Sequence, residues 1–226
     1  MNMLPKVIIY NAVSLDGKLN FFNIDSKLYY EIASKWNVDA VLMGSNTLLK
    51  GFNAETGEVC GWANFDVDET DYFPLLVVPD SGGQIRIWNK VLEMPFIKDI
   101  LVLCSRSTPQ EYMNFLEDSD IKYMVIGYNK VNLGTALEEL NTQFGVKSLR
   151  VDSGGTLNGV LLRNDLVDEV CVLLNPVLVG GISPNSIYKA PDLKTSEEAI
   201  DLKLIKMELL KNEIIFLQYR VMKYQF

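Results

Sequence analysis

The residues of this chain that could bind or transform a small molecule lie in four short segments, each at the end of an apolar run. The most informative covers residues 151–159, VDSGGTLNG, where paired glycines join an apolar run to an amphipathic stretch. Glycines at such a junction let a ligand approach the backbone, and the start of a helix offers unpaired N–H donors to a phosphate group. Thr156 and Asn158 could add side-chain donors. A tight turn without a ligand would use the same residues, so both interpretations stay open.

Three further segments have the same character. They are residues 14–18 (SLDGK), residues 43–47 (MGSNT) and residues 78–83 (VPDSGG). Because open α/β sheets bind ligands at the carboxyl ends of their strands, the four junctions together predict a site along one sheet edge. Lys18 would place a cation near that site, although an ordinary Asp-Gly turn with a solvated lysine is the simpler alternative.

The amino-acid composition excludes several kinds of catalysis. The 226 residues include no histidine, which rules out Ser-His-Asp and Cys-His nucleophilic sites, zinc sites with imidazole ligands and a histidine proton shuttle. The three cysteines, Cys60, Cys104 and Cys171, are far apart and show no CxxC spacing, so we expect neither a disulfide framework nor a metal site. Cys104 and Cys171 lie in apolar runs and are predicted to be buried thiols.

The charge balance bears on partners and location. The chain carries 21 Lys and Arg against 29 Asp and Glu, a net charge of −8. Broad nucleic-acid binding needs a basic face, so we expect no nucleic-acid partner, whereas a phosphorylated small molecule needs only a few local donors. The N-terminal residues show no small-residue cleavage site, and no apolar stretch reaches the roughly 18 residues of a membrane span. We therefore expect a cytoplasmic protein with no membrane partner.

Apolar runs alternate with helix-like segments over most of the chain. Strands are predicted at residues 7–10, 40–43, 75–78, 100–104, 123–126, 148–151 and 170–174. Helices are predicted after an Asp25 N-cap, after a Thr108 N-cap with Pro109 at the first helical position, over residues 132–144 and over residues 156–163. This alternation predicts an α/β architecture with a largely parallel sheet. Two alternating runs at residues 202–210 and 214–221 predict antiparallel strands at the C-terminal edge.

Residues 51–73 form the least regular stretch, with three glycines and an acidic run. We interpret it as a solvated acidic insertion, with a functional loop as the alternative. The chain as a whole, residues 1–226, is interpreted as one domain.

Four stretches of this sequence resemble the riboflavin-biosynthesis pyrimidine reductases. That family contains stand-alone archaeal and fungal enzymes and the reductase domain of the bacterial bifunctional deaminase-reductase. The stretches are residues 13–19 (VSLDGKL), 39–47 (DAVLMGSNT), 77–81 (VVPDS) and 151–181. The last is the most specific, because GGTLNG is followed by LVDEV and by a strand that ends in GG.

The resemblance implies a dihydrofolate-reductase-like fold, a three-layer α/β/α arrangement with a mostly parallel central sheet and antiparallel C-terminal strands. It also implies NADPH as cofactor and a 5′-phosphorylated diamino- or amino-pyrimidine as substrate, whose ribosylamino side chain is reduced to ribitylamino. The ring-opened ribose presents an imine-like C1′ carbon that accepts the hydride, so the protein supplies orientation and charge placement. A homodimer is implied as well, and the apolar C-terminal strands favour it because they would otherwise form an exposed edge.

The resemblance assigns roles to individual residues. Lys18 matches a substrate-side Lys or Arg that contacts substrate and can donate a proton, and Asp152 stands where the family usually has a substrate-orienting Glu. Ser26 and Lys27 lie in a substrate-binding stretch that is shorter here. The positions that match cofactor-binding ones are Val13, Thr47, Ser81, Gly154, Gly155, Thr156, Leu157 and Asn158. An unusual backbone is also expected at Gly154–Gly155, with a cis peptide as one form.

One stretch departs from the family pattern. After Thr47 the family usually has Asp-Asp-Pro and then a phosphate-contacting Arg, whereas residues 48–53 here are LLKGFN, with Gly51 in place of a cofactor-contacting Asp. Two alternatives therefore accompany the main hypothesis. One is a related reductase of another heterocycle, such as a pterin or dihydrofolate, and the other is a nucleotide-binding relative without catalysis.

Overall fold

The computed structural model describes residues 4–52, 73–94, 97–182 and 186–223. The chain forms two compact units, the first from Met1–Pro5 and Trp36–Leu149 and the second from Lys6–Lys35 and Arg150–Phe226. Each unit is described by itself below. The single domain predicted over residues 1–226 stays a prediction.

Strands and helices alternate along the described residues. In chain order they are β1 (Lys6–Ser14), α1 (Ser26–Ala33), β2 (Ala40–Leu42), α2 (Ser45–Gly51), β3 (Leu75–Pro79), α3 (Trp88–Leu92), β4 (Asp99–Cys104), α4 (Gln110–Asp118), β5 (Lys122–Val125), α5 (Leu133–Phe144), β6 (Ser148–Val151), α6 (Gly155–Arg163), β7 (Glu169–Asn175), β8 (Leu202–Leu209) and β9 (Ile215–Val221). Short 3₁₀ turns cover Ser196–Glu198 and Lys211–Glu213.

The first unit contains four strands that pair in chain order. The pairs β2–β3, β3–β4 and β4–β5 are all parallel. Parallel strands covered by helices are buried on both faces, which explains why β3 and β4 are almost wholly apolar. Trp88 and Tyr112 are fully buried in the same core, where the Trp88 Nε1–H group donates to the Tyr112 hydroxyl at 3.0 Å. That bond gives the buried indole N–H group of Trp88 an acceptor.

The second unit is built on β1, which is buried at every position after Lys6. Strand β1 pairs in parallel with β7, and Tyr10 lies opposite Cys171. Beyond β7 the direction changes, because β9 runs antiparallel to β7 and β8 antiparallel to β9. Together with the parallel pairs of the first unit, the strand pairing is mostly parallel with antiparallel C-terminal strands, as the sequence predicts.

The predicted strands are confirmed, and so are most helix boundaries. Asp25 caps α1 by accepting from the Leu28 N–H group at 2.9 Å, and Asn132 caps α5. The start of α4 differs by one residue, since Pro109 rather than Thr108 occupies the N-cap position. The Thr108 hydroxyl is used elsewhere. It accepts from the Ser105 N–H group at 2.9 Å and donates to the Ser81 carbonyl at 3.0 Å.

Most of the predicted acidic loop at 51–73 lies outside the described residues, and so does Cys60. Cys104 and Cys171 are buried free thiols, as predicted, and burial raises the pKa of each to about 12. Such thiols stay protonated and packed rather than reactive. Among the described residues, no helix is both long and apolar enough to cross a membrane.

Candidate active site

Lys18 lies in a tight turn that follows β1 and is closed by two backbone hydrogen bonds. The Gly17 N–H group donates to the Ser14 carbonyl at 2.9 Å, and the Ser14 N–H group donates to the Lys18 carbonyl at 3.0 Å. The Lys18 N–H group also donates to the Ser14 hydroxyl at 2.9 Å. Gly17 has a φ of +72°, in the left-handed region that favours glycine. The Asp-Gly pair in the sequence is thus a real turn, and it fixes the backbone that carries the Lys18 side chain.

The Asp16 carboxylate stabilises this turn by accepting three hydrogen bonds. It accepts from the Ser14 hydroxyl at 2.7 Å, from the Val179 N–H group at 3.1 Å and from the Gly180 N–H group at 2.8 Å. These hydrogen bonds stabilise the ionised form and lower the pKa of Asp16 to about 2, with the Ser14 hydroxyl contributing most. The turn that carries Lys18 is therefore tied to the segment that follows β7.

Asp152 follows β6 and is half-buried beside two stacked tyrosines. The Tyr29 hydroxyl donates to Asp152 Oδ1 at 3.0 Å. The rings of Tyr10 and Tyr29 stack with centroids 4.4 Å apart and an interplanar angle of 25°. Tyr29 comes from α1 and Tyr10 from β1, so the ring of Tyr10 supports from β1 the tyrosine that contacts the carboxyl group.

Burial and charge act on Asp152 in opposite directions. Desolvation raises the pKa of Asp152 above its ordinary value, whereas the Arg150 guanidinium and the Tyr29 hydrogen bond lower it, and burial is the larger effect. Arg150 is itself held in place, because its Nη1 group donates to the Ala33 carbonyl at 3.0 Å. A half-buried carboxyl group with a raised pKa and a nearby cation is a common feature of catalytic sites.

The start of α6 is organised around Asn158. Its Nδ2 group donates to Asn11 Oδ1 at 2.8 Å and to the Ile187 carbonyl at 3.0 Å. Asn11 in turn donates from Nδ2 to the Ser153 carbonyl at 2.8 Å. The N-cap residue, Gly154, makes no side-chain hydrogen bond to the helix. Asn158 therefore holds the segment before the helix against β1 rather than extending into solvent.

A short segment of the chain, residues 186–189, lies against α6 and is called the strap here. The Lys189 N–H group donates to the Gly155 carbonyl at 2.8 Å, and the Ile187 N–H group donates to the Gly17 carbonyl at 3.1 Å. Ser186 also forms an isolated antiparallel bridge with Lys18. The strap thus joins the turn that carries Lys18 to the first turns of α6.

The strap explains why two positions of α6, Gly155 and Gly159, carry no side chain. A Cβ atom on Gly155 would lie 2.3 Å from the Ser186 carbonyl oxygen, and one on Gly159 would lie 2.1 Å from the Lys189 carbonyl oxygen. What approaches the Gly155 backbone most closely in the described residues is therefore the chain itself. The expected unusual backbone at Gly154–Gly155 is wrong: Gly154 has φ −83° and ψ 174°, and no cis peptide occurs in the described part of the chain. Ordinary extended backbone is sufficient there because Gly154 simply precedes the helix.

Two of the predicted cofactor residues, Thr47 and Ser81, belong to the first unit. Thr47 lies in the first turn of α2, where its N–H group donates to the Gly44 carbonyl at 2.9 Å. Ser81 follows β3, and its hydroxyl accepts from the Val131 N–H group at 3.1 Å. The hydroxyl acts as an acceptor in that bond.

The remaining predicted residues lie in the second unit. Val13 is buried in β1, and its carbonyl accepts from Asn175 Nδ2 at 3.2 Å. Ser26 and Lys27 are exposed in the first turn of α1. Thr156 is exposed and Leu157 half-buried in the first turn of α6. Lys18 and Asp152 thus share a unit with Gly154–Asn158.

Among the described residues there is no group of three or more Cys, Asp or Glu side chains that could hold a metal ion.

Sequence reasoning missed Tyr10, Tyr29, Arg150 and Asn11. Each carries a polar group that the structure places near Asp152 or at the start of α6. The available signal was a polar side chain inside an otherwise apolar element, as with Asn11 in β1 and Arg150 in β6. Such side chains seldom lie in buried strands unless they have a partner.

Comparison with known proteins places the chain in a family. A family model described as the RibD C-terminal domain matches residues 5–216. A 2,5-diamino-6-ribosylamino-4(3H)-pyrimidinone 5′-phosphate reductase of Methanothermobacter thermautotrophicus is 29% identical over 221 residues, which cover 94% of this chain and 97% of that protein. The protein of the same name from Aquifex aeolicus is 26% identical over 213 residues, covering 88% of this chain and 89% of that protein.

A solved structure supports the same fold. The pyrimidine reductase-like protein of Corynebacterium diphtheriae superposes with a TM-score of 0.75 at 15% identity, covering 97% of this chain and 93% of that one. The dihydrofolate-reductase-like fold expected from the sequence is confirmed by this likeness. With a family model that covers nearly the whole sequence, the chain belongs to the RibD C-terminal domain family.

Proposed function

We propose that this protein is an NADPH-dependent reductase of the riboflavin pathway. Its substrate is a 5′-phosphorylated diamino- or amino-pyrimidine, and its product carries a ribitylamino group in place of the ribosylamino group. The observation that carries the proposal is the match, along nearly the full length of both chains, to reductases named for this reaction. The alternatives, a pterin or dihydrofolate reductase and a binding protein without catalysis, are not favoured because the named relatives are pyrimidinone phosphate reductases.

The proposed reduction requires one carboxylate that accepts a hydrogen bond from the substrate and one cation near the reacting carbon. When the ribose ring opens, the former ring oxygen takes a proton and C1′ becomes doubly bonded to nitrogen. A hydride added to C1′ and a proton added to nitrogen complete the reduction. Asp152 holds a substrate hydroxyl or amine in line for the hydride, and Lys18 stabilises developing negative charge or donates the proton to the former ring oxygen.

The geometry of each residue suits its proposed role. Among the described residues, Asp152 receives a hydrogen bond on Oδ1, which leaves Oδ2 to meet a substrate. Lys18 is half-buried on a turn whose backbone is closed by three hydrogen bonds, so its stem starts from a fixed position. Ser26 and Lys27, exposed at the start of α1, are proposed to contact the substrate as well.

NADPH supplies the hydride when it is bound. The described residues fit part of such a site, because the N-cap of α6, Gly154, offers no side-chain cap and the first turn presents the exposed hydroxyl of Thr156. Uncapped N–H groups at a helix start suit a phosphate group. The strap lies beside the Cα atoms of Gly155 and Gly159, where a Cβ atom would meet it. The phosphate contacts are therefore proposed with the backbone N–H groups of Gly154, Gly155 and Thr156 at the start of the helix. Val13, Leu157 and Asn158, and Thr47 and Ser81 of the first unit, remain the other proposed cofactor residues.

We also propose that the protein is a cytoplasmic homodimer that pairs through β8. Seven of its eight residues are exposed, among them Met207 at 68% and Leu209 at 73% of full exposure. An exposed apolar edge strand is prone to pair with another chain, and a second copy of the same strand satisfies both edges.

The function is tested by following the loss of reduced-nicotinamide absorbance with each candidate substrate. The purified chain is mixed with NADPH and either the ribosylamino-pyrimidine phosphate or dihydrofolate. Turnover with the pyrimidine and formation of its ribitylamino product are expected. Turnover with dihydrofolate alone would contradict the proposal in favour of the pterin alternative. Tight NADPH binding without turnover on either substrate would favour the non-catalytic one.

A further inference from the structure

Tyr29 is the neighbour of Asp152 that the reaction scheme does not yet use. Its ring is nearly buried and is held from two sides, stacked on Tyr10 and edge-on to Tyr30 at a centroid distance of 5.0 Å. The Tyr10 hydroxyl donates to the Tyr29 carbonyl at 2.8 Å, which ties the start of α1 to β1. The Tyr29 hydroxyl therefore occupies a fixed position beside the carboxyl group.

That hydroxyl lies within reach of two acceptors. Asp152 Oδ1 is 3.0 Å away and the Tyr10 carbonyl oxygen is 3.2 Å away. A phenol has one proton to donate, so it can serve only one of them at a time. With Asp152 ionised, Tyr29 donates to the carboxylate. With Asp152 protonated, the carboxyl group can donate to Tyr29, which then donates to the Tyr10 carbonyl.

We propose that Tyr29 is a positioning residue of the active site: its hydroxyl anchors Oδ1 of Asp152, directs Oδ2 to the substrate and favours the ionised carboxylate. The positioning itself is a property of the described geometry. Its consequence for catalysis rests on the proposed function, since that is where Asp152 orients the substrate.

The other groups around the carboxyl group are compatible with this role. Arg150 on β6 provides the positive charge, and Tyr10 on β1 and Tyr30 on α1 are the further titratable side chains of the cluster. Cys171 on β7 lies opposite Tyr10 and is a protonated thiol. Burial raises the pKa of Tyr10 and of Tyr29 above the ordinary value. Both phenols thus stay neutral donors throughout the range in which a carboxyl group titrates.

The first test measures how the Tyr29 hydroxyl affects the titration of Asp152, without using enzyme activity. Carboxyl-¹³C NMR follows the titration of Asp152, whose resonance is identified by its loss in Asp152→Asn. In Tyr29→Phe the ring stays and the donor is removed, so the pKa of Asp152 should rise by about one to two pH units, the worth of a hydrogen bond to a charged group. The control, Tyr10→Phe, removes a buried hydroxyl that donates to the Tyr29 carbonyl, and should move the titration of Asp152 much less than Tyr29→Phe does.

An unchanged titration in folded Tyr29→Phe, or an equal shift in Tyr10→Phe, would overturn the proposal. If Tyr29→Phe does not fold, 3-fluorotyrosine placed at position 29 keeps the hydroxyl and the ring. Its more acidic phenol is a stronger donor, so the pKa of Asp152 should fall. No change there would count equally against the proposal.

The second test is kinetic. The acidic limb of the kcat profile of Tyr29→Phe should move to higher pH together with the pKa of Asp152, while the KM for NADPH stays constant. A uniform loss of kcat at every pH would show a merely structural role and overturn the positioning role. Absence of turnover in the unaltered protein would instead be a failure of the proposed function, and the NMR titration would still decide whether Tyr29 anchors Asp152.

Discussion

The Gly159 backbone faces the carbonyl oxygen of Lys189 so closely that a Cβ atom on Gly159 would lie 2.1 Å from that oxygen. The strap at residues 186–189 can approach α6 only because this position and Gly155, one helical turn earlier, carry no side chain. Through the strap, the conformation of α6 is linked to the turn that carries Lys18.

Replacing Gly159 by Ala should displace the strap from α6. A methyl group cannot fit against a backbone carbonyl at that distance, so we expect a loss of roughly 1–3 kcal/mol in unfolding free energy, as for overpacked sites. Amide exchange should also accelerate at Ile187 and Lys189, whose N–H groups hold the strap. Urea denaturation and hydrogen exchange measure the two effects.

Gly82→Ala is the matched control for that experiment. A Cβ atom there meets the flexible end of the Gln84 side chain, which can move away. Normal exchange at Ile187 and Lys189 in folded Gly159→Ala would contradict the packing described for the strap. A substitution of Gly155 by Val would not test cofactor binding cleanly. Its side chain would collide with the strap, so a loss of binding could come from the displaced strap alone.

Replacing Lys18 or Asp152 by Ala should slow the proposed reduction by roughly 10²–10⁴-fold, the usual effect of losing a positioned acid-base group. NADPH affinity should change little, because neither residue lies in the first turn of α6. Steady-state kinetics and a fluorescence titration with NADPH give the two quantities. The controls Lys130→Ala and Asp192→Asn alter exposed residues with the same charges. Near-normal turnover in both test variants would eliminate the proposed roles.

Replacing Asp16 by Asn should make the protein less stable at neutral pH. The stability of the variant should also change less than that of the unaltered protein as the pH falls. The folded-state pKa of Asp16, about 2, lies below the ordinary value of 3.8, so its contribution is present above that ordinary value and is lost as the pH falls toward 2. Thermal melting of both proteins between neutral pH and pH 2 should show two curves that converge in acid. A constant difference across that range would argue against the carboxylate as the brace of the Lys18 turn.

Replacing Met207 and Leu209 together by Lys should convert the proposed dimer to a monomer. Both side chains are exposed on β8, and charges on an edge strand oppose pairing with a second copy. Light scattering at micromolar concentration measures the mass, and circular dichroism checks the fold. A monomeric unaltered protein, or a dimer that survives the double substitution, would refute pairing through β8.

The sequence by itself determined the elements and their order. Alternating apolar runs, the Asp25 cap and the C-terminal hairpin are local patterns, and each depends on neighbours within a few residues. The Asp-Gly turn at Lys18 is of the same kind, since Gly17 supplies the left-handed backbone that it requires. Local chemistry was also enough to exclude histidine-based catalysis, because that conclusion needs only the composition.

Only the tertiary structure decided what surrounds Asp152 and why α6 begins with glycines. Tyr29 lies 123 residues from Asp152 in the chain, and no local pattern connects them. The glycines suggested room for a ligand, yet the backbone of the strap fills the space beside Gly155 and Gly159. Thr108 has a cap-forming sequence, but its hydroxyl is drawn to Ser105 and Ser81. Tyr29 for Asp152, the strap for the glycines of α6 and Ser81 for Thr108 are each distant in sequence, and only the fold brings such a partner close.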